Sequence, residues 1–219
     1  MTLVASWSGG KDSCLACYKA ISSGFKVSHL LNMISEEGRN SRSHGISAML
    51  IAAQAQAIGI PIVQRRTTWE NYEHEFRQVV GELKQQGVDG AVFGDIYVQE
   101  HKDWLDKVCG DLAIKNVMPL WGLDTGEIIH EFIDSGFKAI VVRTRADLLG
   151  EDWLGREIDR GFVNDLAKLR KVDLCGELGE YHSFVYDGPL FQRPLKIVKG
   201  AKFLKDGCWT LEIPKWQLD

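Results

Sequence analysis

Near the start of the chain, between an apolar run and a helical pattern, lies Trp7-Ser8-Gly9-Gly10-Lys11-Asp12-Ser13-Cys14, and its residue types are those that hold an anion. Adjacent glycines let backbone N–H groups come close to a ligand, and a loop that opens a helix aims those groups and the helix dipole at negative charge. Lys11 adds a full positive charge, and Ser8 and Ser13 add hydroxyl donors. Two other phosphate loops are excluded. The Walker pattern needs Ser or Thr where Asp12 stands and a glycine five residues before Gly10, and the dinucleotide pattern G-x-G-x-x-G fails on the Gly9-Gly10 adjacency. A plain strand-to-helix turn capped by Ser8 or Asp12 needs neither two glycines nor a lysine. The stretch therefore reads as a pyrophosphate site.

The elements that must position this loop alternate. LVASW (3–7) precedes a helical pattern over 13–22, and KVSHLLNMI (26–34) precedes the polar loop SEEGRNSRSH and the apolar helix pattern GISAMLIAAQAQAIG. IPIVQRR, NYEHEFRQVVGELKQQG, AVFGD (91–95), VQEHKDWLDKVCGDLA and NVMPLW continue the series. Strand and helix signals in turn predict βαβ units around a parallel, doubly wound, Rossmann-like sheet. Gly24, Gly59 and Gly87 stand where left-handed helix caps belong. After Trp121 the pattern changes to a helix (TGEIIHEFIDSG), a strand (FKAIVVRT), a helix (DRGFVNDLAKLRK) and a β-like tail, with a hairpin expected at Lys205-Asp206-Gly207. A boundary near residue 120 is expected, dividing the α/β domain that carries the loop (1–120) from a smaller C-terminal α+β domain (121–219).

Composition narrows the partners. Of 219 residues 26 are basic and 30 acidic, a net charge of −4 without like-charge blocks, which gives no footprint for sequence-independent nucleic-acid binding. No apolar run approaches a membrane span, and the first residues lack the layout of a secretory signal, so a cytoplasmic protein without membrane contact is expected. Five scattered cysteines argue against a disulfide framework. Cys14 and Cys17 form a C-x-x-C, but at helical spacing they share one face and read as core.

SGGKDS directly after a first strand resembles the PP-loop signature of the N-type ATP pyrophosphatases, whose sheet belongs to the adenine-nucleotide α-hydrolase-like group. GDI (94–96), PLW (119–121), WLGREID (153–159) and GELGEYHSFVYDGPLF (176–191) are similar to segments of the diphthine–ammonia ligase family, over nearly the whole chain. Leu178 departs from that family's pattern, standing where the first of two paired glycines is expected. The resemblance implies ATP-dependent amidation: a carboxylate, ammonia and ATP give an amide, AMP and pyrophosphate, with elongation factor two carrying diphthine as the protein-borne substrate. Free ammonium is the expected nitrogen source, because the chain leaves no segment for a glutaminase.

Within that chemistry Ser8, Gly9, Gly10, Lys11 and Ser13 are expected to bind the phosphates, with Lys11 also catalytic. Asp12 is a hard oxygen ligand for Mg²⁺ or a helix cap, or both. Asp95, at the carboxyl end of its strand, faces metal or substrate or else caps the next helix. Glu177, Glu180 and His182 bring two carboxylates and an imidazole to one stretch, any of which could deprotonate ammonium. Ser43 and His44 sit in the loop that reaches adenosine in PP-loop enzymes. Trp121 is a candidate for the cleft floor. The alternatives are amidation of a different carboxylate, a PP-loop tRNA-modifying activity, and a nucleotide sensor without turnover.

Overall fold

The computed structural model describes residues 1–218. Its first half alternates β1 (Thr2–Ser6), α1 (Lys11–Ser22), β2 (Lys26–Ser35), α2 (Ala48–Ile58), β3 (Ile62–Thr67), α3 (Tyr72–Gln85), β4 (Gly90–Val92), α4 (Gln99–Asp111) and β5 (Lys115–Val117). The five strands are parallel, in the order β3-β2-β1-β4-β5. That order reverses between β1 and β4, so the loops leaving those two strands diverge and open a crevice at the carboxyl edge of the sheet. One of the two is the glycine-lysine loop; the other carries Gly94 and Asp95.

Alternate residues of each strand face opposite layers. Val4 and Leu31 meet Phe76, Val80 and Val108 of α3 and α4, whereas Leu3 and Leu30 meet Leu15, Cys17 and Ile51 of α1 and α2. The second layer continues without a break into the C-terminal half through Phe132, Val141 and Phe184. There α5 (Thr125–Asp134), β6 (Lys138–Arg145), a 3₁₀ turn (Glu151–Trp153), α6 (Arg160–Leu166), β7 (Tyr181–Asp187), β8 (Leu195–Lys205) and β9 (Cys208–Leu218) build an antiparallel sheet of order β7-β6-β9-β8. The molecule is thus a parallel doubly wound α/β unit with a smaller α+β unit on one face.

The outer edge of β7 docks on the glycine loop. The Val185 N–H donates to the Gly9 carbonyl at 3.0 Å. Gln54, with no exposed surface, ties the same two residues together. Its amide donates to the Gly9 carbonyl at 3.0 Å and the Val185 carbonyl at 2.6 Å, and its Oε1 accepts the Trp7 indole N–H at 2.8 Å.

Gly24, Gly59 and Gly87 cap their helices with φ of +85°, +82° and +92°. Asp206 and Gly207, at +49° and +72°, make the two-residue turn between β8 and β9. Three expectations shift. β4 and β5 end at Val92 and Val117, so GDI lies in the irregular chain beyond β4 and PLW in a turn beyond β5. Glycine is needed at 94, since a Cβ there would stand 2.8 Å from the Asp12 carbonyl carbon. The helix expected over DRGFVNDLAKLRK spans only Arg160–Leu166: Asp159 accepts the Phe162 N–H as its N-cap, and the chain passes into turns after Leu166. Trp121 is half-buried in the turn after β5, beneath the Lys102 ammonium, and lines neither cavity described below.

Replacing Gln54 with leucine strips a partner from the Trp7 indole and the Val185 carbonyl. At about 1–3 kcal/mol per abandoned buried group, we expect a loss of roughly 2 kcal/mol or more. The measurement is a lower urea midpoint at unchanged slope.

Candidate functional site

Both loop glycines stand in crowded places, and Gly9 also has a left-handed backbone. Gly9 has φ +80°, and a Cβ on it would lie 2.9 Å from Gln54 Oε1; one on Gly10 would lie 2.5 Å from His44 Cε1. Gly10 occupies the N-cap of α1 and, being glycine, supplies no capping side chain of its own. The Ser8 and Ser13 hydroxyls lie 3.1 Å apart; Ser8 accepts the Gly10 N–H at 3.3 Å and Ser13 donates to the Gly10 carbonyl at 3.0 Å. The Lys11 N–H donates to Ser183 Oγ of β7 at 3.0 Å. Asp12 is therefore not the helix cap. Its Oδ1 is buried and has no hydrogen-bond partner among the described residues, which leaves a hard oxygen free for a ligand.

Lys11 does not point where the sequence reading puts it. Its ammonium turns toward the C-terminal unit, 2.8 Å from Asp12 Oδ2, in contact with the Cys175 carbonyl and 5.0 Å above the Tyr181 ring. Burial opposes its charge, but Asp12, Tyr181 and Cys175 outweigh that and hold its pKa above the ordinary lysine value. Asp12 in turn is raised by burial against the pull of Lys11.

Two cavities adjoin the loop. The larger, about 480 Å³, is bounded by Ser8, Asp12 and Ser13 on the loop, by Ser43 and His44, and by Asp95 and Glu177. Its far wall is aromatic: Trp69 stacks on Tyr72 at 6.0 Å, Tyr72 meets Trp104 at 5.9 Å, and the Arg42 guanidinium lies 4.9 Å over Trp69. Asp95 Oδ1 lies 3.2 Å from His101 Nδ1, and that hydrogen bond raises the His101 pKa. The smaller cavity, about 140 Å³, is lined by Lys11, Asp12, His44, Glu177, Tyr181 and His182. Asp12, His44 and Glu177 face both.

The ring centroids of His44 and His182 are 4.4 Å apart. Burial, the neighbouring ring and Lys11 push His44 well below the ordinary histidine value, and burial, Arg143 and Lys11 push His182 down to about 4. Both rings are neutral near pH 7. Burial raises Glu177 to about 7, helped by Asp12 and Asp95 and opposed by the Ile96 N–H, which it accepts at 2.9 Å. A carboxyl raised to about 7 is suited to proton transfer near neutrality.

Glu180 does not face the cavities. Its oxygens accept the N–H groups of Asp173 and Leu178 at 3.1 and 3.0 Å, so it holds the 173–180 loop together. Leu178 is 61% exposed and carries no special backbone angle; the left-handed residue is Gly179, at +79°. The departure from the paired-glycine pattern thus falls where a side chain fits. Cys14 and Cys17 are fully buried thiols, raised by burial, as a core pair should be. The sequence reading missed Gln54, Arg42 and the aromatic wall. Gln54 had a signal, a lone amide on the face of α2 that carries Leu50, Ile51 and Ile58.

Among the described residues no group of three His, Cys, Asp or Glu side chains is arranged to hold a metal. Among them no helix is long and apolar enough to cross a membrane.

A parallel sheet whose strand order reverses beside a glycine-lysine-aspartate loop, closed over by an antiparallel unit, is the architecture of the PP-loop nucleotide-binding proteins. Two family models divide the chain: the diphthamide synthase N-terminal domain matches residues 1–116 and the diphthamide synthase C-terminal domain residues 124–217. The chain belongs to the diphthamide synthase family. The diphthine–ammonia ligase of Danio rerio is 26% identical over 220 residues, covering 90% of this chain and 86% of that protein. The Homo sapiens protein of the same name is 26% identical, covering 89% and 82%. That of Schizosaccharomyces pombe is 24% identical over 96% of this chain, a match that takes up 40% of the longer yeast protein. A solved chain titled as a predicted subunit of tRNA methyltransferase from Methanocaldococcus jannaschii is 15% identical with a TM-score of 0.46, covering 84% of this chain and 96% of that one, a likeness too loose to add to the topology.

The site gives stability two opposing pH slopes. Folding raises Glu177 from 4.5 to about 7, so its burial weighs fully against the fold above pH 7 and not at all below pH 4.5. Folding lowers His182 from 6.5 to about 4, so stability is lost as pH falls through that window. Glu177→Gln keeps an acceptor for the Ile96 N–H. We expect it to be more stable than the parent above about pH 7 and to converge with it below pH 4.5, as read from urea midpoints across the range.

Proposed function

We propose that the protein is a cytoplasmic, ATP-dependent carbon–nitrogen ligase of the diphthine–ammonia type. It adenylylates a carboxylate, transfers ammonia to it and releases AMP and pyrophosphate, acting on elongation factor two that carries diphthine. Residues 1–120 bind the nucleotide and residues 121–219 complete the acyl and ammonium site. The observation that carries this reading is the pairing of a glycine-lysine loop at the switch point with a half-buried carboxyl, Glu177, that lines both cavities beside it.

A carboxylate is a poor acyl donor because oxide leaves badly, and adenylylation replaces oxide with AMP. The larger cavity has room for adenosine against its aromatic wall, with Ser43 and His44 beside it. The α1 N-terminus, Ser8, Ser13 and Lys11 stabilise charge on the departing pyrophosphate. Mg²⁺ fits the donor set, since Asp12 Oδ1 is buried without a partner and this ion is commonly held by one carboxylate together with substrate phosphates. Such an ion neutralises phosphate charge. Glu177 takes the proton that ammonium must lose before it attacks.

The test is ATP–pyrophosphate exchange, followed by mass spectrometry of the amide, with diphthine-bearing elongation factor two and ammonium. Lys11→Ala is expected to lose roughly a hundredfold or more in turnover, the scale of one preorganised charge donor. Undiminished turnover overturns the role of Lys11. Nucleotide binding without exchange, on any carboxylate offered, overturns the ligase.

A further inference from the structure

The Lys11 ammonium sits in surroundings that would suit any small ammonium ion. It contacts a carboxylate oxygen (Asp12 Oδ2), a backbone carbonyl (Cys175) and, at 5.0 Å, the face of an aromatic ring (Tyr181). These are the three groups that recognise N–H donors carrying positive charge: an anion, a dipole and a π-face. The ring is held from behind, since the Tyr181 hydroxyl donates to the Leu174 carbonyl at 2.7 Å. Asp173 accepts the N–H groups of Cys175 and Glu177 at 2.8 and 3.3 Å, which fixes the loop that presents the carbonyl. The cage opens into the cavity of about 140 Å³ that Glu177 also lines.

We propose that this cage is the ammonium site of the ligase and that Lys11 and the substrate ammonium occupy it in turn. This rests on the ligase reading above. Lys11 is the first residue of α1, beside the phosphate loop, and a bound polyphosphate offers its ammonium more negative charge than the single Asp12 carboxylate does. When ATP draws Lys11 to the phosphates, the vacated cage accepts NH₄⁺ next to Glu177. The Glu177 carboxylate takes one proton, and the nitrogen lone pair attacks the acyl carbon. A C–N bond forms, the C–O bond to AMP breaks, and AMP leaves with the electron pair. The second proton passes from the adduct nitrogen to water. Ammonium therefore binds after ATP, and the empty enzyme has its own lysine as a plug in the ammonium site.

The experiment is initial-rate kinetics of amide formation with ammonium and ATP varied separately, in the parent protein, Tyr181→Leu and Tyr181→Phe. Loss of the π-face in Tyr181→Leu is expected to raise the KM for ammonium roughly tenfold, well beyond any change in the KM for ATP, and Tyr181→Phe is expected to restore it. A second measurement needs no variant: rubidium, a cation of ammonium's size, should compete with ammonium at saturating ATP, with lithium balancing the ionic strength. Equal changes in both KM values overturn the proposal, as does rubidium without effect or ammonium that competes with ATP. Amide formation with none of the expected ammonium effects sinks the cage alone, whereas parent protein that makes no amide sinks the ligase reading.

Discussion

The rest of the structure depends on one carbonyl. The Gly9 oxygen accepts from the Val185 N–H and from the Gln54 amide at once, so the bend of the glycine loop and the docking of the second sheet are a single interaction. β7 is an edge strand of its own sheet, and an edge carries unpaired backbone groups that must be satisfied somewhere. Here the phosphate loop takes that place. The Lys11 N–H reaching Ser183 Oγ repeats the arrangement two residues along. The loop of the larger unit and the edge of the smaller one share these hydrogen bonds, and a continuous apolar core lies beneath them.

That docking sets the electrostatics. By covering the loop, β7 and the 173–180 loop bury Lys11 and partly bury His44 and His182, and away from water charge is costly unless paired. Lys11 keeps its charge through Asp12 and an aromatic face, while the two histidines, facing Lys11 and Arg143, give theirs up. Glu177 lies between these extremes, buried enough to be raised yet anchored by the Ile96 N–H. A carboxyl poised near neutrality is a product of position, since Glu180, three residues on, spends its oxygens on two backbone amides.

GELGEYHSF shows how a short motif divides its labour. Glu177 and His182 face the cavities, Glu180 ties the loop, Tyr181 supports Lys11 and Ser183 holds the α1 N-terminus. The two-residue period of a strand begins only at Tyr181, so alternation could not sort the residues before it. Leu178 departs from the paired-glycine pattern without strain, because of residues 178 and 179 only Gly179 uses the left-handed conformation.

The sequence by itself determined the alternation of strands and helices, the glycine caps, the closing hairpin and the anion loop. Each of these is written in local periodicity or in a backbone angle that one residue type prefers. It did not determine which way Lys11 points, which glutamate faces the cavities, or that Gln54 binds the loop to both units. Those outcomes rest on partners 45, 131 and 172 residues apart along the chain, as in Gln54 to Gly9, Gln54 to Val185 and Lys11 to Ser183. Hydrophobic patterning records that a position is buried. What a buried polar group meets is decided only when the two sheets close on each other.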